Sequence, residues 1–130
     1  MKIIVAGSRG FNDYDVVSNR LFKYFKENRI SSSDMSDIEI ISGTARGADQ
    51  LGERFALEHG CKLTHMPADW ERYGKRAGMI RNKEMARYAH QKYEGVLFAF
   101  WDGQSRGTKA MIDIAYKLGM EIIVVRTDQL

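Results

Sequence analysis

Among its 130 residues the sequence has one cysteine, one proline and no long apolar run, and each scarcity excludes a class of protein. A lone Cys61 rules out an intramolecular disulfide framework and any cysteine-built zinc site. With Pro67 as the only proline there is no proline-rich linker, and no repeat or low-complexity tract interrupts the chain. The longest apolar run, Val96 to Trp101, is too short to span a bilayer. The apolar N-terminal stretch breaks at Gly7 before a signal-peptide core is reached, so the expected location is the reducing cytoplasm, with no membrane partner. Charge of one sign is also scarce: Lys+Arg 20 against Asp+Glu 17 leaves +3, too mild for a nucleic-acid binder but suited to a small anion. His59, His65 and His90 show no ligand spacing, and with no HExxH or Cys/His cluster no metal is expected.

What is present is an ordinary globular composition, 44% apolar and 28% charged, enough for one core and one domain over residues 1–130. Short apolar runs alternate with helical patterns. Lys2–Ala6, Ile38–Ile41, Cys61–Met66, Gly95–Phe100 and Glu121–Val125 read as strands, with Gly95–Phe100 the strongest and placed centrally. Val17, Leu21, Tyr24 and Phe25 fall on one helical face entered through Asn12 or Asp13. Ala48, Leu51, Phe55 and Ala56 mark a second helix closed by Gly60, and residues 77–90 a third. The third has Met79, Asn82, Ala86 and Ala89 on its inward face. Thr108, Met111, Ile112, Ala115 and Leu118 mark a fourth, closed by Gly119, and the serine-rich stretch 28–37 reads as a surface connection. The seven methionines fall largely at core positions, and Cys61 is expected to open a buried strand. Strict β-α alternation with continuous apolar strands predicts an α/β fold: a single Rossmann-like three-layer α/β/α sandwich around a mainly parallel five-stranded sheet.

In such a sheet ligands bind outside the carboxyl ends of the strands, where four unusual loops lie. After the first strand come Gly7, Ser8, Arg9 and Gly10, either a tight turn or a backbone able to approach a phosphate, with Arg9 to close over it. The dinucleotide fingerprint is absent, and no acidic residue ends the second strand. That strand leads into Ser42, Gly43, Thr44, Arg46, Gly47 and Asp49 at a helix start whose amides and dipole favour an anion. Asp49 fits a capping role or a ligand contact equally. The third loop, from Pro67, interleaves Trp70 and Tyr73 with cations, so it either stacks on a base or folds on itself; Arg81 and Asn82 follow. The fourth holds Trp101, Asp102, Gly103, Ser105, Arg106, Gly107 and Thr108, with Ser105 a natural N-cap and the P-loop spacing one residue short. Taken as Gly7–Asp13, Ser42–Asp49, Pro67–Asn82 and Trp101–Lys109, the four loops carry eight Lys/Arg and five Asp/Glu, which accounts for the entire excess of +3.

Val5-Ala6-Gly7-Ser8-Arg9, Gly43-Thr44-Ala45-Arg46-Gly47-Ala48-Asp49, Pro67-Ala68-Asp69-Trp70, Arg81-Asn82 and the Trp101–Thr108 loop together resemble the YspA-like (cpYpsA-related) branch of the SLOG superfamily, along essentially the whole chain. That superfamily also includes the DprA DNA-processing proteins and the LOG phosphoribohydrolases. The Ala45–Asp49 segment is similar to the DprA Ala-Arg-Gly-Ile-Asp motif. Ser105–Thr108 is similar to the glycine-rich Gly-Gly-x-Gly-Thr-x-x-Glu loop of the LOG enzymes. The glutamate of that loop falls on Met111, and Asp113 lies about 200° around the helix from it and does not substitute. The resemblance implies binding of a nucleotide or nucleotide-derived, ADP-ribose-like ligand, a sensor-type role included.

Three functions follow as expectations. The first is nucleotide binding through the glycine- and arginine-rich loops, with Trp70, Tyr73 and Trp101 as base-stacking surfaces and no other cofactor. The second is a nucleotide N-glycosidase or phosphoribohydrolase-like hydrolase, which needs a carboxylate beside the sugar from Asp49, Asp69, Glu71 or Asp102, and for which no catalytic residue is assigned. The third is DprA-like single-stranded DNA binding, disfavoured by the modest charge. A homo-oligomer is compatible with all three.

Overall fold

The computed structural model describes all 130 residues. The β-branched and aliphatic runs form the strands β1 (Lys2–Gly7), β2 (Glu39–Ser42), β3 (Lys62–His65), β4 (Gly95–Trp101) and β5 (Glu121–Arg126). All pair in parallel, in the order β3-β2-β1-β4-β5. Helices α1 (Tyr14–Glu27), α2 (Ala48–His59), α4 (Ala77–Ala89) and α5 (Arg106–Lys117) connect them, with a single-turn helix α3 (Trp70–Tyr73) in the long third loop. The α/β sandwich expected from the alternation is the fold observed. No helix is long and apolar enough to cross a membrane.

Because both faces of the sheet are covered, alternate residues of each strand feed two cores. Ile3, Val5, Phe98 and Phe100 pack with Phe25 of α1 and Phe55 of α2. Ile4, Ala6, Leu97 and Ala99 pack with Met85 and Ala86 of α4 and with Met111 and Ala115 of α5. Aromatics fill the first core and alanines and methionines the second, so the α4/α5 side is thinly filled near the end of β1.

Several local expectations shift. β4 is an interior strand as expected but β1 is the middle one, because after the edge strand β3 the chain crosses back over β2 and β1 to lay β4 on the far side of β1. The stretch expected as a plain surface connection contains a 3-10 helix, Ser32–Asp37, that buries Met35. Cys61 precedes β3 and is half-buried, because β3 is an edge strand. Met79 and Leu118 are exposed rather than packed. Met79 stands at the mouth of a cavity, and Leu118 lies just past the end of α5.

Candidate functional site

The strand order reverses direction between β1 and β4, which opens a crevice at their carboxyl ends. Glycines let the loops there approach one another. A Cβ on Gly7 would overlap the Phe100 carbonyl oxygen and come within 2.8 Å of Ala48 Cβ. Gly47 has φ +83°, and a Cβ there would collide with the backbone carbonyls of Ser8 and Arg9. The buried Ser8 closes the junction: its amide donates to the Phe100 carbonyl (3.0 Å), and its hydroxyl accepts from the Asp102 amide (3.1 Å).

Between α4 and the start of α5 this arrangement leaves a cavity of about 340 Å³. Ala6, Met85 and Met111 form its apolar floor, Arg81 and Asn82 one wall, and Trp70 and Met79 its rim. The far wall is the first turn of α5. Ser105 occupies the N-cap position, but its hydroxyl does not cap; it pairs with Thr108 Oγ1 at 3.1 Å. Asp102 turns the chain instead, with Oδ1 accepting from the amides of Gln104 (2.8 Å) and Ser105 (2.7 Å), bonds that hold its carboxyl below the usual range. The first bond of the α5 ladder runs from the Lys109 amide to the Ser105 carbonyl (3.1 Å), so the amides of Arg106, Gly107 and Thr108 have no intrahelical acceptor. No atom lies within 4 Å of where a Gly107 Cβ would stand. An uncapped helix N-terminus of this kind presents partial positive charge to whatever fills the cavity.

The opposite wall is organised around Arg81. Its guanidinium donates to the Gly43 carbonyl and to Asn82 Oδ1 (3.0 Å). Asn82, itself buried, reaches with Nδ2 toward the Gly107 carbonyl at 3.5 Å and so links α4 to α5. Asp49 is only 5% exposed, and its Oδ2 accepts from the Ala45 amide at 3.1 Å. Burial pushes this carboxyl up to about 6, against the pull of the Ala45 bond and of the Arg81 and Arg9 charges. A Cβ at Gly43 would sit 2.6 Å from the Arg81 guanidinium and 2.9 Å from Asp49 Oδ2, so a larger residue there would displace the Arg81 and Asp49 side chains. The cavity is thus lined by four cations, Arg9, Lys75, Arg81 and Arg106, and one carboxylate, Asp49.

Of the residues singled out in the sequence, Gly7, Arg9, Asp49, Arg81 and Asn82 line this cavity, as do Ser105, Arg106, Gly107, Thr108 and Trp70. Gly43, Thr44 and Arg46 line an adjoining one. The others stand outside both. Ser42 is buried beneath, its hydroxyl bonded to Glu53. Ser8, Gly47 and Asp102 tie loops together as described, and Gly10 faces open space. Gly103, at φ +81°, backs onto Arg126, whose guanidinium also lies 5.3 Å over the Trp101 ring. The Trp101 indole donates to the Ser105 carbonyl (3.0 Å), and Arg72 stacks 5.1 Å over Tyr73, so of the three aromatics only Trp70 is free at the rim. Sequence reasoning missed Ala6, Met79, Met85 and Met111 as lining residues, since an apolar position in a strand or helix looks the same whether it faces core or cavity.

Residues 1–73 match the model of the family described as YspA, cpYpsA-related SLOG family. Over 128 residues the chain is 32% identical to the Gene 61 protein of Mycobacterium phage D29, an alignment covering 94% of this chain and 94% of that protein. No solved structure matches. The matched segment contains the first two loops and Trp70, whereas Arg81 and the start of α5 lie beyond it. On sequence match and whole-length similarity together, the chain belongs to the YspA, cpYpsA-related SLOG family.

Proposed function

We propose that this protein binds a nucleotide or a nucleotide-derived, ADP-ribose-like ligand in the cavity between α4 and α5. Family membership supports a nucleotide-related role at a coarse level. The observation that carries the finer reading is the uncapped first turn of α5, which opens into a cavity lined by four cations against a single carboxylate. A phosphate would accept from the Arg106, Gly107 and Thr108 amides and from the Arg106 side chain, with Arg81 opposite. The base would lie against the Trp70 indole and the Met79 thioether.

Binding without turnover is favoured over hydrolysis. Cleaving an N-glycosidic bond needs a carboxylate beside the sugar. Met111 occupies the position where the LOG motif has glutamate, and it is 1% exposed in the cavity floor. The one lining carboxylate, Asp49, is bonded to the Ala45 amide. Incubation with a nucleotide panel should release no free base by chromatography.

Calorimetry with AMP tests the binding reading. Arg106→Ala should weaken binding about tenfold or more through loss of a charge-assisted contact. Gly107→Val should abolish binding by filling the cradle, while circular dichroism stays native, since a Cβ there meets no neighbour within 4 Å. Wild-type affinity in both variants, or a wild type that binds neither AMP nor ADP-ribose, would overturn the proposal.

A further inference from the structure

A second cavity of about 310 Å³ adjoins the first and shares Arg9, Ala45, Trp70 and Arg81 with it. Its remaining lining comes from the loop after β2, with Gly43, Thr44 and Arg46, and from Pro67 and Ala68 after β3. We infer that this cavity is a second anion subsite, and that the ligand carries two phosphate groups, one in each cavity, with its middle lying along Arg9, Arg81 and Trp70. The inference rests on the binding reading above and names the class of ligand within it.

Charge is the first ground. Three of the nine lining residues are arginines and none is acidic. The ion pairs of the molecule take their cations from the N-terminus, Lys23, Arg54, His65, Lys109 and Arg126. Arg46 is in none of them, and it is exposed at the cavity wall. Asp49 lies outside the lining, bonded to the Ala45 amide, and the arginines whose charges it feels are Arg81 and Arg9 rather than Arg46. A phosphate confined to the start of α5 would leave Arg46 without a counterion. A second phosphate supplies one.

Geometry is the second ground. The loop that carries Arg46 is fixed at its base, where the Thr44 amide donates to Ser42 Oγ (3.0 Å) and the Ala45 amide to Asp49. Arg46 is therefore presented by a set backbone, which lowers the ordering cost of binding. Each cavity alone lies at the small end of the range for ligand sites, roughly 300–1,000 Å³, whereas the two joined past Trp70 suit a larger ligand.

The test compares affinities for AMP, ADP-ribose and adenosine 3′,5′-bisphosphate by calorimetry, in the wild type and in Arg46→Ala. The two other probes place their phosphates adjacent or apart, and so report the spacing. At least one should bind the wild type about tenfold more tightly than AMP does, the value of one added charge-assisted contact. In Arg46→Ala that ratio should fall to near one. If AMP binds but neither two-phosphate probe does better, or if the ratio survives in Arg46→Ala, the second subsite is refuted while the nucleotide-binding reading stands. If none of the three binds, both fall together.

Discussion

The Asp49 carboxyl sits where burial outweighs every favourable contact it makes. Its pKa of about 6, against an ordinary value of 3.8, means that the folded protein holds this proton more tightly than the unfolded chain. The stabilisation is fully present below the unfolded value and is lost as pH rises through the folded one. Between pH 4 and pH 7 the wild type should therefore lose roughly 2 kcal/mol relative to Asp49→Asn, which has no proton to release. Urea denaturation of both proteins at the two pH values measures this, and identical losses in the two would refute it. Asp49 also shows where sequence reading stops at the residue scale. Its place at a helix start fits capping or ligand contact, but the side chain serves the Ala45 amide and feels the charges of Arg9 from the first loop and Arg81 from α4. Neither partner is set by local spacing.

Elements were the most legible part of the chain. The spacing of Val17, Leu21, Tyr24 and Phe25 names the four residues that α1 buries, because a helix with one packed face leaves that trace in its sequence. Gly60 closes α2 in the left-handed conformation, as the sequence indicates. The pattern weakens where an element borders the cavity. Met79 shares a helical face with Ala86 but stands at the rim, beyond the reach of the core. Asn82, one turn on, is the hinge between α4 and α5 through Arg81 and the Gly107 carbonyl. Asn82→Ala should lower stability by about 1–2 kcal/mol and speed amide hydrogen exchange in the first turn of α5. Unchanged exchange at residues 106–109 would show that α5 is held without it.

For the whole molecule, the small excess of positive charge is a property of one edge. Both cavities lie there and share Arg9 and Arg81. A confined site of this kind implies a moderate response to salt, since only a few partly buried contacts are screened. AMP affinity should fall about three- to tenfold between 0.05 and 0.5 M NaCl, whereas an extended phosphate backbone would lose several powers of ten. Titration calorimetry across that range distinguishes the two, and a salt-independent affinity would contradict the charged site altogether.

The sequence by itself determined the alternation of elements, the parallel class of the sheet and the edge on which the unusual loops lie, because these follow from periodicity and from the handedness of β-α-β connections. It also indicated that the first turn of α5 would be glycine-rich beside an arginine. Only the tertiary structure decided which loops remain open. Three glycine-bearing loops look alike as phosphate cradles, yet Gly7 is filled by the Phe100 carbonyl and Gly47 by the carbonyls of Ser8 and Arg9, whereas Gly107 faces free space at a cavity wall. Packing across sequence-distant segments makes that difference. A glycine permits close approach, and whether backbone or ligand takes the space depends on the neighbours that the fold brings to it.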